Sequence, residues 1–188
     1  PERRSRVIGE KKKQLVAYHE AGHAIVSKVL DAKNRVQKIS IIPRGQAEGY
    51  AWRVAEEEQS LYGRADFMAM IAVALGGRIA EEIVFDDISS GAASDLDKVT
   101  KIARSMVTRY GMSEKLGPMI FGKKEEMVFL GREISEQRDY SDETAQIIDL
   151  EVRKIVDEGY NQARQALQAH RHKLELVAET LLERETLS

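Results

Sequence analysis

His19-Glu20-Ala21-Gly22-His23 sets two imidazoles four residues apart with a carboxylate directly after the first. On a helix, residues at that spacing lie about 40° apart around the axis and about 6 Å along it. Both rings can then reach one cation. Glu20 falls beside that face, placed to miss the cation and touch a water bound to it. Two neutral imidazoles with open coordination positions suit Zn²⁺, and a lone carboxylate beside them suits general-base hydrolysis. The flanks Val16, Ala17, Ala24, Ile25 and Val26 carry no charge, so this turn is expected to be buried. The plainer use of two buried histidines is as hydrogen-bonded core residues. Gly22 costs a helix about 1 kcal/mol against alanine. It is expected where another element packs close, as one must if it brings in a third ligand.

A catalytic zinc wants three protein ligands. An extended H-E-x-x-H-x-x-G-x-x-H motif would supply the third, but Val26 and Val29 stand at its last two fixed positions. His170 and His172 sit in a charged tract and are expected to be solvated. The chain has no cysteine, which removes thiolate ligands, disulfides and iron–sulfur clusters together. A carboxylate is left. Glu81 or Glu82 follows Gly76-Gly77-Arg78-Ile79-Ala80, and Asp95 or Asp97 follows the small residues Ser89 to Ser94. Pattern alone leaves these candidates even.

The elements that must hold this chemistry read as mainly α. In 188 residues, prolines occur only at Pro1, Pro43 and Pro118, so two long stretches lack the strongest helix breaker. A helical pattern runs from about Lys11 to Leu30 and a second from about Arg64 to Phe85, tightly packed or interrupted at Gly76-Gly77. A third is expected to start near Ser94 or Asp95 and stop at Gly111. From Ser141 the chain reads as helical almost to its end. Ala145, Ile148, Val152, Ile155, Gly159 and Ala163 form one apolar stripe there. The β-branched run Val36 to Ile42 and the segment Gly49 to Val54 predict a small sheet or hairpin beside the H-E-x-x-H helix. Residues 119–130 read as a hairpin with a charged turn.

Composition narrows the function further. With 43% hydrophobic and 32% charged residues, the chain reads as globular, and its size predicts one domain. The net charge of −2 leaves no excess cation to neutralise phosphates, which excludes nucleic acid as the main partner. The longest uncharged helical run, Phe67 to Gly77, falls well short of the ~20 residues of a membrane span. Gly117 to Lys124 nearly spells a phosphate-binding loop, but Lys124 stands where the Mg²⁺-binding Ser or Thr belongs. A chain opening at Pro1 is expected to be a fragment, with residues 1–10 a basic linker and 11–188 a single domain built around the H-E-x-x-H turn.

Several segments in one order resemble the peptidase domain of the FtsH family. They are Ala17 to Ile25, Ile41-Ile42-Pro43-Arg44-Gly45, Gly76 to Glu82, Ser90 to Leu96, Tyr110-Gly111-Met112-Ser113, Val128-Phe129-Leu130-Gly131 and Ser141-Asp142-Glu143-Thr144. The resemblance implies a membrane-anchored, ATP-dependent zinc endopeptidase that degrades membrane and unstable soluble proteins. It implies one Zn²⁺ per chain, with His19, His23 and Asp95 as ligands and Glu20 as catalytic base. Glu81 is kept as second-choice ligand or as the carboxylate that orients one. ATP would be used by an ATPase module absent from this chain. A homo-hexamer is implied, with protein substrates and with membrane contact only through absent N-terminal segments. The domain would lie on the cytoplasmic, matrix or stromal side. Gly49, Tyr50, Ala51 and Trp52 are expected to receive an extended substrate as an added strand. A silent helical assembly module is the rival, and the intact Glu20 speaks against it. A deformylase-type hydrolase would need a Cys ligand.

Overall fold

A computed structural model describes residues 2–30, 32, 36–42, 50–53, 61–124 and 136–188. Pro43-Arg44-Gly45, Gly49, Val54 and residues 125–130, all expected to lie in strands or turns, fall outside these. The architecture is mainly α. Helix α1 (Glu2–Val29) carries the H-E-x-x-H turn, and β1 (Val36–Ser40) and β2 (Tyr50–Arg53) follow it. Next come α2 (Arg64–Phe85), a short 3-10 turn (Ser90–Ala92) and α3 (Ala93–Thr108). Two short strands, β3 (Lys123–Lys124) and β4 (Glu136–Gln137), precede α4 (Asp142–Ala169), α5 (Arg171–Arg184) and β5 (Thr186–Leu187).

Helix α2 is the centre of the domain, and α1, α3 and α4 all pack on it. It has the arc predicted for it, and it runs through Gly76-Gly77 unbroken. Ile71, Ala72, Ala74, Leu75, Ile79 and Ala80 are almost wholly buried, as expected of a helix enclosed on several sides. Asp66 accepts the Gly63 N–H at 2.8 Å to fix its start, and Asp86 ends it in the left-handed conformation at φ 52°. Helix α4 begins as predicted, with the Ser141 side chain accepting the Thr144 N–H at 3.1 Å.

Three boundaries differ from expectation. Helix α1 begins at Glu2, well ahead of Lys11, because Gly9 is the only weak helix former in that stretch and nothing there stops the helix. Helix α3 begins at Ala93, so Asp95 lies in its first turn and Ser89 caps the 3-10 turn before it. Lys123–Lys124 pair antiparallel with Glu136–Gln137, so this described pairing reaches well beyond residue 130. The stripe of α4 is buried at Ile148, Ile155, Gly159 and Ala163, and α4 lies against α2. Most of it is spent inside the chain, with Ala145 and Val152 partly buried.

The small sheet has the order β2-β1-β5, antiparallel throughout, with Ile39 opposite both Ala51 and Leu187. It packs on α1, so it stands beside the H-E-x-x-H helix as predicted. The buried Ser40 hydroxyl donates to the Glu185 carbonyl at 3.1 Å and pairs with Thr186 Oγ1 at 2.9 Å. This locks β5 to one edge of β1 and leaves β2 at the other side of the sheet.

The element that packs close at Gly22 is α2. A Cβ at Gly22 would collide with the Gly76 carbonyl and come within 2.8 Å of Ala80 Cβ. The two helix backbones touch there. Gly22→Ala should therefore lower stability by about 1–3 kcal/mol through overpacking, although alanine favours the helix by about 1 kcal/mol. Gly9→Ala, where nothing lies within 4 Å, should be neutral or slightly stabilising. Denaturant titration checks both, and a Gly22→Ala midpoint at or above wild type would contradict the contact.

Candidate metal centre

The α1–α2 contact carries the imidazoles into the interior. His19 is 8% exposed, His23 4% and Glu20 7%. The rings of His19 and His23 meet edge-on, with centroids 4.7 Å apart. Gly77 clears the space for the first ring, since a Cβ there would sit 2.5 Å from His19 Nε2. Gly76 and Gly77 therefore act differently. One lets backbones touch, and the other makes room for a functional side chain.

Asp95 reaches the same point from α3. Its Oδ2 lies 3.0 Å from His19 Nε2 and 3.2 Å from His23 Nε2. Among the described residues, His19, His23 and Asp95 form a group whose candidate ligand atoms all lie within 4.8 Å of one another. Glu81 is placed differently. It is 1% exposed, and its Oε2 lies 3.4 Å from His19 Nδ1, on the opposite edge of the ring from Asp95. Glu82 turns away to accept from the Tyr160 hydroxyl and pair with Arg78. Asp97 pairs on the surface with Lys101. His172 is exposed and His170 half-buried at the α4–α5 junction, so neither joins the cluster.

The hydrogen-bonding roles follow from the partners. Val73 carbonyl can only accept, so His23 Nδ1 donates to it at 2.7 Å. His19 Nδ1 faces a carboxylate in the same way. With both Nδ1 atoms committed as donors, neutral imidazoles would point two Nε2 lone pairs at a carboxylate oxygen. Three acceptors then converge on one point, an arrangement that needs a cation at its centre. In the chain alone a proton serves. Burial works against a charged His19, but hydrogen bonds to Asp95 and Glu81 and the charge of Glu20 outweigh it and push it from 6.5 up to about 9. For Asp95, burial acts to raise the pKa, but bonds to His19 and His23 hold the carboxyl far below the usual carboxylate range. A zinc ion fits the same donor set. Ligand atoms bound at 2.0–2.1 Å in a tetrahedron lie about 3.3 Å apart, close to the 3.0 and 3.2 Å found here.

Nothing in the residue pattern marks Val73, Ser89 or Gly77 as parts of the site. The Val73 contact is made by backbone and has no side-chain signature. In the sequence Ser89 is one of several small loop residues, although a Ser before a small turn is a capping signal. Of the expected substrate strand, Tyr50, Ala51 and Trp52 pair with β1, with Ser40 opposite Tyr50.

A mainly α domain that buries an H-E-x-x-H helix against a carboxylate from another helix has the build of a metallohydrolase. The comparisons agree and are more particular. The sequence model of peptidase family M41 matches residues 6–188, and the chain belongs to that family. It is 56% identical over its whole length to the ATP-dependent zinc metalloprotease FtsH of Chloroflexus aggregans, covering 29% of that protein. It is 50% identical to FtsH 1 of Sphaerobacter thermophilus, again over the whole chain and 29% of the relative. FtsH 3 of Synechocystis is 51% identical, with the whole chain covering 31% of it. The chain thus spans less than a third of the length of these curated relatives.

The charge balance predicts a pH dependence for the metal-stripped chain. The folded pKa of His19 lies above its unfolded value, so its contribution to stability is fully present below about pH 6.5 and lost as pH rises through about 9. NMR titration of the His19 ring in the presence of chelator should give a midpoint near 9. A midpoint at or below 6.5 would contradict the ion pair.

Proposed function

We propose that this chain is the peptidase portion of an ATP-dependent zinc endopeptidase, with His19, His23 and Asp95 as zinc ligands and Glu20 as general base. The single observation that supports it most is the convergence of two Nε2 atoms and one carboxylate oxygen with both Nδ1 atoms engaged elsewhere. A divalent zinc ion held by His19, His23 and Asp95 would supply Lewis acidity toward a peptide carbonyl and toward the attacking water. The chain's own residues do the rest. Val73 and Glu81 orient the two imidazoles through Nδ1. Glu20, next in sequence after His19 and buried beside it, takes the proton from the attacking water and delivers it to the leaving nitrogen. Burial of the site keeps that carboxylate away from bulk water and strengthens each electrostatic contact.

Substrate is proposed to add as an extended strand along Gly49, Tyr50, Ala51 and Trp52. Pairing through backbone groups reads few side chains, which suits a broad range of protein substrates. The relatives' names carry ATP dependence. The resemblance carries homo-hexameric assembly, a membrane anchor and a working side that is cytoplasmic, matrix or stromal. It also carries the degradation of membrane and unstable soluble proteins. No helix among the described residues is long and apolar enough to cross a membrane, so an anchor would come from elsewhere in a longer protein. Casein cleavage by such a longer protein, with and without ATP, tests that part of the reading.

Two substitutions test the assignments within this chain. Glu20→Gln should keep fold and zinc content while peptidase activity falls by about 10²–10⁴-fold. Wild-type turnover by that variant would remove the general-base role. Asp95→Ala should abolish tightly held zinc, whereas Glu81→Ala should cost about 10–100-fold in affinity as an orienting partner. Metal titration of both variants decides, and the reverse order would make Glu81 the third ligand.

A further inference from the structure

Behind His19 a line of polar contacts runs out of the site. Glu81 Oε2 faces His19 Nδ1 at 3.4 Å, and its other oxygen, Oε1, accepts from the Ser89 hydroxyl at 2.5 Å. The same Ser89 oxygen accepts the Gly91 N–H at 3.2 Å. A hydroxyl has one hydrogen to give and lone pairs to receive. Here the hydrogen goes to Glu81 and a lone pair to Gly91. Gly91 lies in the 3-10 turn Ser90–Ala92, which runs directly into α3 with Asp95 in its first turn. One side chain therefore touches both arms of the cluster, the carboxylate behind His19 and the turn that delivers Asp95.

We propose that Ser89 is a positioning residue of the metal centre, fixing the face that Glu81 turns to His19 and the path along which Asp95 reaches it. The inference rests on the reading of His19, His23 and Asp95 as a metal site. Its physical basis is the inequality of the two contacts on Glu81. At 3.4 Å the His19 contact is the weaker of the two, whereas the short hydroxyl-to-carboxylate bond is of the strong, charge-assisted kind and dominates the choice of Glu81 conformation. Ser89 therefore sets the Glu81 rotamer, and His19 takes its orientation from the result. Glu81 is almost wholly buried, so an oxygen deprived of that donor has little access to water as a replacement. Ser89 itself gives no atom to the cation.

The test uses the 188-residue chain and its Ser89→Ala, Ser89→Thr and Ser89→Val variants. Zinc affinity is measured by competition with a chromophoric chelator, and site geometry by the visible spectrum of the Co²⁺-loaded chain. Ser89→Ala should weaken zinc binding about tenfold, the low end for partners that orient ligands, and should alter the Co²⁺ bands. Ser89→Thr keeps the hydroxyl and should restore both. Should Ser89→Ala fail to fold, Ser89→Val against Ser89→Thr reads the same difference in nearly equal shapes. A hydroxyl-free variant with wild-type affinity and spectrum would overturn the proposal. So would a variant that lowers only the denaturation midpoint of the metal-free chain. Wild-type chain that takes up no zinc would overturn the metal reading along with it. If wild type binds zinc and Asp95→Ala does not, the metal reading stands and Ser89 is judged alone.

Discussion

The backbone contact of α1 with α2 is the constraint on which the site depends. Gly22 and Gly76 let the two helices approach until their main chains touch, closer than any side chain between them would permit. At that separation the His19 ring lies against Gly77, and His23 reaches the Val73 carbonyl. A wider spacing would leave that carbonyl, and the Nδ1 that donates to it, without the bond that fixes the second imidazole. The glycines weaken both helices locally. Burial of Val26 and Ala80 at the crossing and of Ile79 on the same helix offsets that loss, at about 1.5–3 kcal/mol for a fully buried Val or Ile.

Given that frame, chemistry follows from donor and acceptor arithmetic. Each imidazole commits Nδ1 to an acceptor on the α2 side and turns Nε2 toward Asp95. The cluster cannot be satisfied by hydrogen bonds between neutral groups. It takes a cation, and the raised pKa of His19 with the lowered one of Asp95 expresses that demand in the metal-free chain. Binding a metal exchanges a proton for an ion at a point already built for positive charge, so reorganisation is small. The carboxylate comes from α3, behind a turn of small residues held by Ser89.

Much of this was legible in the sequence because the informative residues are rare types at fixed spacing. The H-E-x-x-H turn and its burial could be read from two histidines and uncharged flanks. The full length of α2 followed from Arg64 and Phe85 bounding an apolar run. Which carboxylate lies beside the two imidazoles is not legible from pattern, since Glu81, Glu82, Asp95 and Asp97 all follow small residues. Only the fold separates the Nε2 side of His19 from its Nδ1 side. Gly22 showed that something packs close but not what, because a missing side chain leaves no imprint of its neighbour's identity. The α4 stripe is legible as an apolar face, but its period does not say that α2 is the element it packs against. The early start of α1 is not legible because a run of charge hides the apolar period, although charge does not by itself end a helix.

The central claim is that His19, His23 and Asp95 hold one zinc ion, with Glu81 behind His19 and outside the coordination sphere. Anomalous diffraction at the zinc edge from crystals of the zinc-loaded chain tests it most directly. A single strong anomalous peak is expected about 2.0–2.1 Å from His19 Nε2, His23 Nε2 and one Asp95 oxygen. A peak bonded to Glu81 in place of Asp95, or none between the two imidazoles, would contradict it.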